Sequence, residues 1–397
     1  VGSEFGSTVP AIFTDEPQLV HPGTGIPWYE GLPGKYQEWT GRDFWKDLPF
    51  LFFDGGQARY IRLLIHRAIL RQFLEAYSRP LYLWCEKHGI AYTGHYNAED
   101  TFSSQILNHC GGIMAHYRYQ HIPGIDHLCR HTDALLFTCK QVSSAARQLG
   151  RKYVLSEIFG VSRHTNTFED FKWLGDYDLV HGANIFCPHL TWYSGKGRRK
   201  RDYPPVWNYQ QTYWNELPVL NDYFARTAYV LTSGKPDVKI LLLHSIESAI
   251  AGRRIGVESG RSSADIPRMD MSDASNLDAL MRKTLESVLS TGYDCDIGDE
   301  GFIEEYGKVE KKNFVVGKMS YSIVIIPPSF TWREKTVLAL EKFAGNGGNL
   351  IILGKPPEEI EGIGRIERWS KLLSLKNVHC LPSSSESVRN AVNALKP

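Results

Sequence analysis

AIFTDEP (residues 11–17) and YVLSEIFG (residues 153–160) share one design: a short apolar run, then a carboxylate where the run ends. Asp15 and Glu16 stand just before Pro17, and Glu157 holds the corresponding point of the second run. Apolar runs of this length, bounded by turn residues, read as buried strands. Three more lie between and after them: IAYTGHY (90–96), a weaker run around 115–119 within GIMAHYRYQHIPGID (112–126), and ANIFCPHL (183–190). Helical periodicity separates them. ARYIRLLIHRAILRQFLEAYSRPLYLWCEKHG (58–89) is amphipathic, interrupted near Pro80 and stopped by Gly89. TCKQVSSAARQLG (138–150) and TFEDFKWLGDYDLVHG (167–182) follow the same rule, the latter with Thr167 as its N-cap. Five strand–helix units in a row predict a parallel sheet covered by helices.

Polar and aromatic residues gather where each expected strand ends: Asp15 and Glu16, His95 to Asp100, His121 to Asp126, Glu157, and His189 to Tyr193. Both a (β/α)8 barrel and a doubly wound sheet build their sites at strand C-termini. No glycine-rich phosphate loop follows the first strand, which favours the barrel. The expected fold is therefore α/β. Residues 9–232 form a TIM-type (β/α)8 barrel portion, incomplete at about five βα units. TSGKPD (232–237) reads as a linker. Beyond it, VKILLLHS, YSIVIIPP and NLIILG alternate with two helical patterns, which predicts a smaller flavodoxin-like α/β domain over 237–397. The intervening stretch 252–275 has loop composition.

Composition narrows the function classes. With 42% hydrophobic and 22% charged residues the 397-residue chain is an ordinary globular protein, long enough for two cores. A net charge of +1 gives no electrostatic case for nucleic acid or a membrane, and no apolar run is long enough to span a bilayer. The basic run GRRKRD (197–202) reads as a solvated loop or as partners for acidic residues at the barrel mouth. Seven cysteines, odd in number and without CxxC spacing, argue against disulfides and structural zinc. They point to buried small hydrophobes and a reducing, cytoplasmic setting. The opening residues 1–8 have the character of a cloning-derived linker, so the native N-terminus is expected upstream.

Glycoside hydrolysis needs two carboxyl groups flanking the scissile bond, one a proton donor and one a nucleophile or base. Glu16 and Glu157 suit these roles. Either alone would read as a surface or salt-bridged residue, but two at matching strand ends in an aromatic-rich half point to chemistry. Glu99 and Asp100 are further acidic candidates, with a helix-start charge as their plainer reading. His95, His121 and His189 are placed to bind sugar hydroxyls or orient a carboxylate, or to serve as structural polar groups. Trp192 and Tyr193 offer stacking faces or core packing, and Asp126 is expected to face the cleft.

LVHGANIFCPHLTWYSGKGRRKRDYPP (179–205) resembles the last barrel strand of family 42 glycoside hydrolases, the β-galactosidases. AIFTDEP is similar to that family's fourth strand, and YVLSEIFG to its seventh. The resemblance implies Glu16 as general acid/base, Glu157 as nucleophile and His189 among the sugar contacts. It also implies an amidotransferase-like trimerisation domain, hence a homo-oligomer. Asp15 replaces the family's Asn before the acid/base glutamate. YQEWTGRDFWKDLPFLFFDG (36–55) with RYIRLLIHRAIL (59–70) instead resembles family 106-type α-L-rhamnosidases, which invert configuration and use calcium. Stereochemistry, calcium use and the sugar stay open. The residues themselves show no metal or cofactor motif, and none is expected. A carbohydrate is the expected partner. The second class of reading is a non-catalytic carbohydrate-binding or assembly protein on a degenerate barrel. Amidotransferase chemistry in the second domain is disfavoured, because neither Cys295 nor Cys380 lies in a Gly-x-Cys-x-Gly elbow.

Overall fold

In a computed structural model, all residues are described except 20–25, 110, 131, 133–134, 199–202, 204–206, 257–267 and 271. The chain divides into two compact units. One comprises Val1–Pro17, Arg79–Asp100 and His116–Pro236; the other comprises Gln18–Ser78, Thr101–Ala115 and Asp237–Pro397. No helix among the described residues is long and apolar enough to cross a membrane.

The first unit is built on five parallel strands in simple sequential order: β1 (Ala11–Thr14), β2 (Ala91–Gly94), β3 (Ile122–His127), β4 (Leu155–Ile158) and β5 (Ile185–Pro188). Sequential order with helical crossovers is the barrel pattern, whereas a doubly wound sheet reverses partway. Carboxylate and imidazole atoms from the tips of β1, β2 and β4 lie within 4.8 Å of one another. Across a flat sheet β1 and β4 would stand about 14 Å apart, so the sheet curls, as a half-barrel. Among the described residues neither β1 nor β5 has a second neighbour.

The curl depends on close backbone approach. Gly94 ends β2 at φ +124, and a Cβ there would sit 2.1 Å from the Thr14 carbonyl oxygen of β1. Behind the sheet, helix Phe168–His181 opens with a Thr167–Asp170 capping box and carries the fully buried Asp178. Its carboxylate accepts a hydrogen bond from Ser156 at 2.6 Å and pairs with His127 Nδ1 at 2.9 Å. Because side chains alternate along a strand, these two contacts turn Asp126 and Glu157 to the opposite, open face. Ile158, Phe159, Phe171, Leu174, Trp207 and Phe224 pack beside them as one apolar cluster.

One sequence expectation shifts, and the expected break near Pro80 is present. The weak strand around 115–119 is absent: Met114–Tyr117 is helical, and the strand is Ile122–His127, where the chain gains ladder partners on both sides. The long helix is interrupted before Pro80 by a π-helical turn, Leu74–Ser78, which separates Ala58–Phe73 from Arg79–Lys87. Pro80 follows directly on this turn, and a π-type bulge of this kind accommodates the ring and the N–H that proline lacks.

The second unit holds five parallel strands, β6 (Ile240–Leu243), β7 (Cys295–Gly298), β8 (Ile323–Ile326), β9 (Asn349–Leu353) and β10 (Val378–Leu381), in spatial order β10-β9-β8-β6-β7. The apolar faces of β6, β8 and β9 form its core. Arginines brace it: the half-buried Arg67 and Arg333 share Glu247, and the buried Arg62 donates to the carbonyls of Phe50, Phe53 and Ala251. Within 252–275, Arg254–Gly256 and Arg268–Asp270 pair as antiparallel strands rather than loop; the remainder lies largely outside the described residues.

Gly94→Ala is expected to cost at least about 2 kcal/mol, because Ala can neither adopt this φ cheaply nor avoid the Thr14 carbonyl. Urea unfolding of the variant checks this; an unchanged midpoint would count against the tight β1–β2 approach.

Candidate active site

Four of the five strands of the half-barrel leave the sheet through an unusual backbone. Glu16, Ala98, Cys129 and Phe159, just beyond β1 to β4, all have positive φ without being glycine. Such conformations cost about 1–2 kcal/mol each, and they cluster at functional sites.

His95, directly after β2, is the centre of the cluster and is completely buried. Its Nε2 lies 2.8 Å from Glu157 Oε2 and 3.5 Å from Asp15 Oδ1. Burial opposes a charged ring, but the hydrogen bond to Glu157 and the carboxyls of Asp126, Glu99 and Glu157 outweigh it and raise the imidazole to about 9. On its other side Glu157 Oε1 lies 3.9 Å from His189 Nε2. Glu16 is held separately: its Oε2 accepts a 2.8 Å hydrogen bond from the Asn97 amide.

Glu99 lies below this layer. Its carboxylate accepts from the backbone N–H of Tyr96 at 3.0 Å, that of Asp126 at 3.1 Å, and the Tyr117 hydroxyl at 3.2 Å. Burial pushes it up to about 7, against the pull of His95 and these donors. It therefore ties the loop after β2 to β3. The helix-start reading of Glu99 fails for a simple reason: the next helix begins at Phe102, and the Glu99 side chain folds back into the unit instead of capping it. Asp126, paired in register with Glu157, is raised to about 8 by burial and by Glu157, Glu99 and Glu16, with His95 acting the other way.

Asp15, Glu16, His95, Glu99, Asp126, Glu157 and His189 are thus tied to one another by hydrogen bonds or by charge. Trp192 and Tyr193 make no hydrogen bond to the carboxylates: Trp192 meets His164 edge-on at 6.2 Å, and Tyr193 is 99% exposed. His121 falls outside the cluster. With β3 starting after it, it lies at the wrong end of the strand, accepts from the Tyr92 N–H and stacks on Tyr82 at 4.3 Å. Asn97 and Tyr117 went unnoticed in the sequence. Asn97 had one available signal, its place between His95 and Glu99 in a strand-exit segment. Of the basic run 197–202, residues 199–202 lie outside the described residues. A groove of about 410 Å³ lies along β5, lined by Phe159, Phe186, Trp207 and Phe224, and no titratable side chain reaches it.

Among the described residues the grouping with metal-ligand spacing is Asp15, His95 and Glu157. It does not fit calcium, which takes six to eight oxygens. The imidazole offers none, and in its protonated form it has no lone pair to give.

No protein-family model and no curated protein matches the chain. Solved structures do. A rhamnosidase from Novosphingobium sp. PP1Y superposes with a TM-score of 0.67 at 14% identity, covering 99% of this chain and 36% of that one. An exo-carrageenase of GH42 from Bacteroides ovatus gives 0.59 at 10% identity, covering 93% and 51%. A catalytic mutant of a GH42 beta-galactosidase from G. stearothermophilus gives 0.55 at 11%, covering 87% and 52%. At these identities the likeness is one of fold: the chain has the fold of these glycoside hydrolases, over about a third to a half of their length.

The His95 ring is expected to stay an imidazolium through neutral pH and to lose its proton as pH rises through about 9. Glu157→Gln removes the charged acceptor and should bring that titration down to lower pH. Nitrogen NMR of the labelled imidazole reads both; an ordinary histidine titration in the parent would contradict the pairing.

Proposed function

We propose that the chain is a glycosidase, with Glu16 as general acid/base and Glu157 as nucleophile acting on a terminal glycosidic bond. The observation that carries this reading is the convergence of the β1 and β4 tips around one buried imidazole, which Asp15 and Glu157 both meet, with Glu16 next to Asp15 held separately by Asn97. Each carboxylate enters the reaction in one orientation: Asn97 fixes Oε2 of Glu16, and His95 fixes Oε2 of Glu157. Glu16 protonates the departing oxygen while Glu157 attacks the anomeric carbon; Glu16 then activates water to release the sugar. Asp15, His95, Glu99, Asp126 and His189 line or brace the site, and Trp192 and Tyr193 form the sugar-facing wall beyond β5. The fold it shares with a rhamnosidase, beta-galactosidases and an exo-carrageenase supports a carbohydrate substrate.

The barrel portion read over 9–232 carries two excursions, Gln18–Ser78 and Thr101–Ala115, that belong to the second compact unit; the five-stranded part of that unit, within 237–397, is flavodoxin-like, related to the amidotransferase-like trimerisation module. Its spatial strand order, 2-1-3-4-5 in order of appearance, supports that assignment. Cys295 is buried within β7 and Cys380 lies on β10, away from any nucleophile elbow, so the module serves assembly into a homo-oligomer.

On a panel of nitrophenyl glycosides, Glu16→Gln and Glu157→Gln are each expected to lower kcat by about a hundred- to ten-thousandfold. Parent-like turnover by Glu157→Gln would remove it as nucleophile. Sugar binding without turnover by the parent would favour a binding protein on a degenerate barrel.

A further inference from the structure

Asp126 is an acidic residue to which that hydrolysis assigns no step. It faces Glu157 across the β3–β4 ladder, so both carboxyl groups leave the same face of adjacent strands. Glu16, Glu99 and Glu157 act on it from the tip of β1, the loop after β2, and β4, and among the described residues His95 opposes them. On the far face of β3, helix Leu135–Leu149 brings the buried Cys139 and Lys140, with His127 and Asp178 beside them. The site side of the sheet thus gathers five carboxyl groups, the exposed Asp15 included, against one imidazolium. Such crowding favours a bound proton on the buried group whose anion has the fewest donors.

Counting donors identifies that group. Glu16 receives the Asn97 amide, Glu157 receives His95, and Glu99 receives two backbone N–H groups and a tyrosine hydroxyl. Among the described residues the Asp126 side chain receives none: its Oδ1 is buried without a hydrogen-bond partner there, although its own backbone N–H serves Glu99. A buried carboxylate oxygen without a donor is costly. A neutral acid with an O–H to give is not, provided that something arrives to accept it.

We propose that Asp126 stands in the site as a neutral carboxylic acid and donates a hydrogen bond to a substrate hydroxyl oxygen beside the scissile bond. This deepens the glycosidase reading and rests on it. A neutral donor reads the sugar without placing another negative charge beside Glu157. It also sets specificity, since a deoxy sugar at that position leaves the donor unpaired in a buried site, which binding sites reject strongly. The upward push on this carboxyl group, to about 8, agrees with the donor count.

Two variants and one spectroscopic measurement test this. Asp126→Asn keeps a neutral donor in place; Asp126→Ala removes it. On the best glycoside of the panel, Ala is expected to lower kcat/KM about tenfold, mostly through KM. Asn should recover most of that loss, to within about threefold of the parent. Parent affinity should fall as pH rises through about 8, while the Asn variant should not show that fall. An Asn variant as impaired as Ala, or an Ala variant equal to the parent, overturns the proposal. NMR of carboxyl-labelled aspartate in the parent should show Asp126 as an acid at neutral pH, whatever the activity; a carboxylate shift there overturns the proposal as well. A parent that hydrolyses no glycoside sinks the glycosidase reading separately. In that case a deoxy sugar binding as tightly as its hydroxylated counterpart overturns the donor role too.

Discussion

Strands β1 and β4 are separated by two others, yet their tips reach one buried imidazole. That closeness requires the sheet to curl, and much of the first unit serves the curl. Gly94 lets β2 press against Thr14 of β1. Asp178 locks the back of β3 and β4 through His127 and Ser156. Glu99 bridges the loop after β2 to the backbone of Asp126. On the open face His95 gathers what the curl delivers. The carboxyls around it favour the imidazolium, and in turn it makes their crowding tolerable.

This arrangement separates two kinds of carboxyl group. Glu16 and Glu157 each have one specific partner and a way out to the cleft, which suits groups that meet substrate. Glu99 and Asp126 are pushed upward by burial and by their neighbours, to about 7 and about 8. Glu99 spends its lone pairs on internal donors, so its role is to hold the loop. Asp126 has none, and therefore keeps its bonding capacity for what enters. The left-handed residues at the strand exits store backbone strain where these side chains are aimed.

Much of this was legible in the sequence. An apolar run ending in a carboxylate marks a strand tip, and AIFTDEP and YVLSEIFG supplied both sides of the proposed pair. Sequential strand–helix alternation also indicated a barrel-type sheet. What stayed hidden has a common cause: contacts that pattern does not encode. Tyr117 reaches Glu99 from a helix that imitates strand alternation in IMAHYRY, and this same imitation placed His121 at the wrong end of β3. Asn97 has no periodic neighbour to flag it. In the second unit β7 and β10 are edge strands interrupted by Asp296 and His379, so they lack the unbroken apolar runs that reveal β6, β8 and β9.

The central claim is that Glu157, oriented by His95, attacks the sugar across from Glu16. Trapping the covalent stage with an activated fluorinated glycoside, followed by peptide mass spectrometry, tests it most directly. The expected result is a single label on Glu157. A label on another carboxylate, or turnover with inverted product and no label, would contradict it.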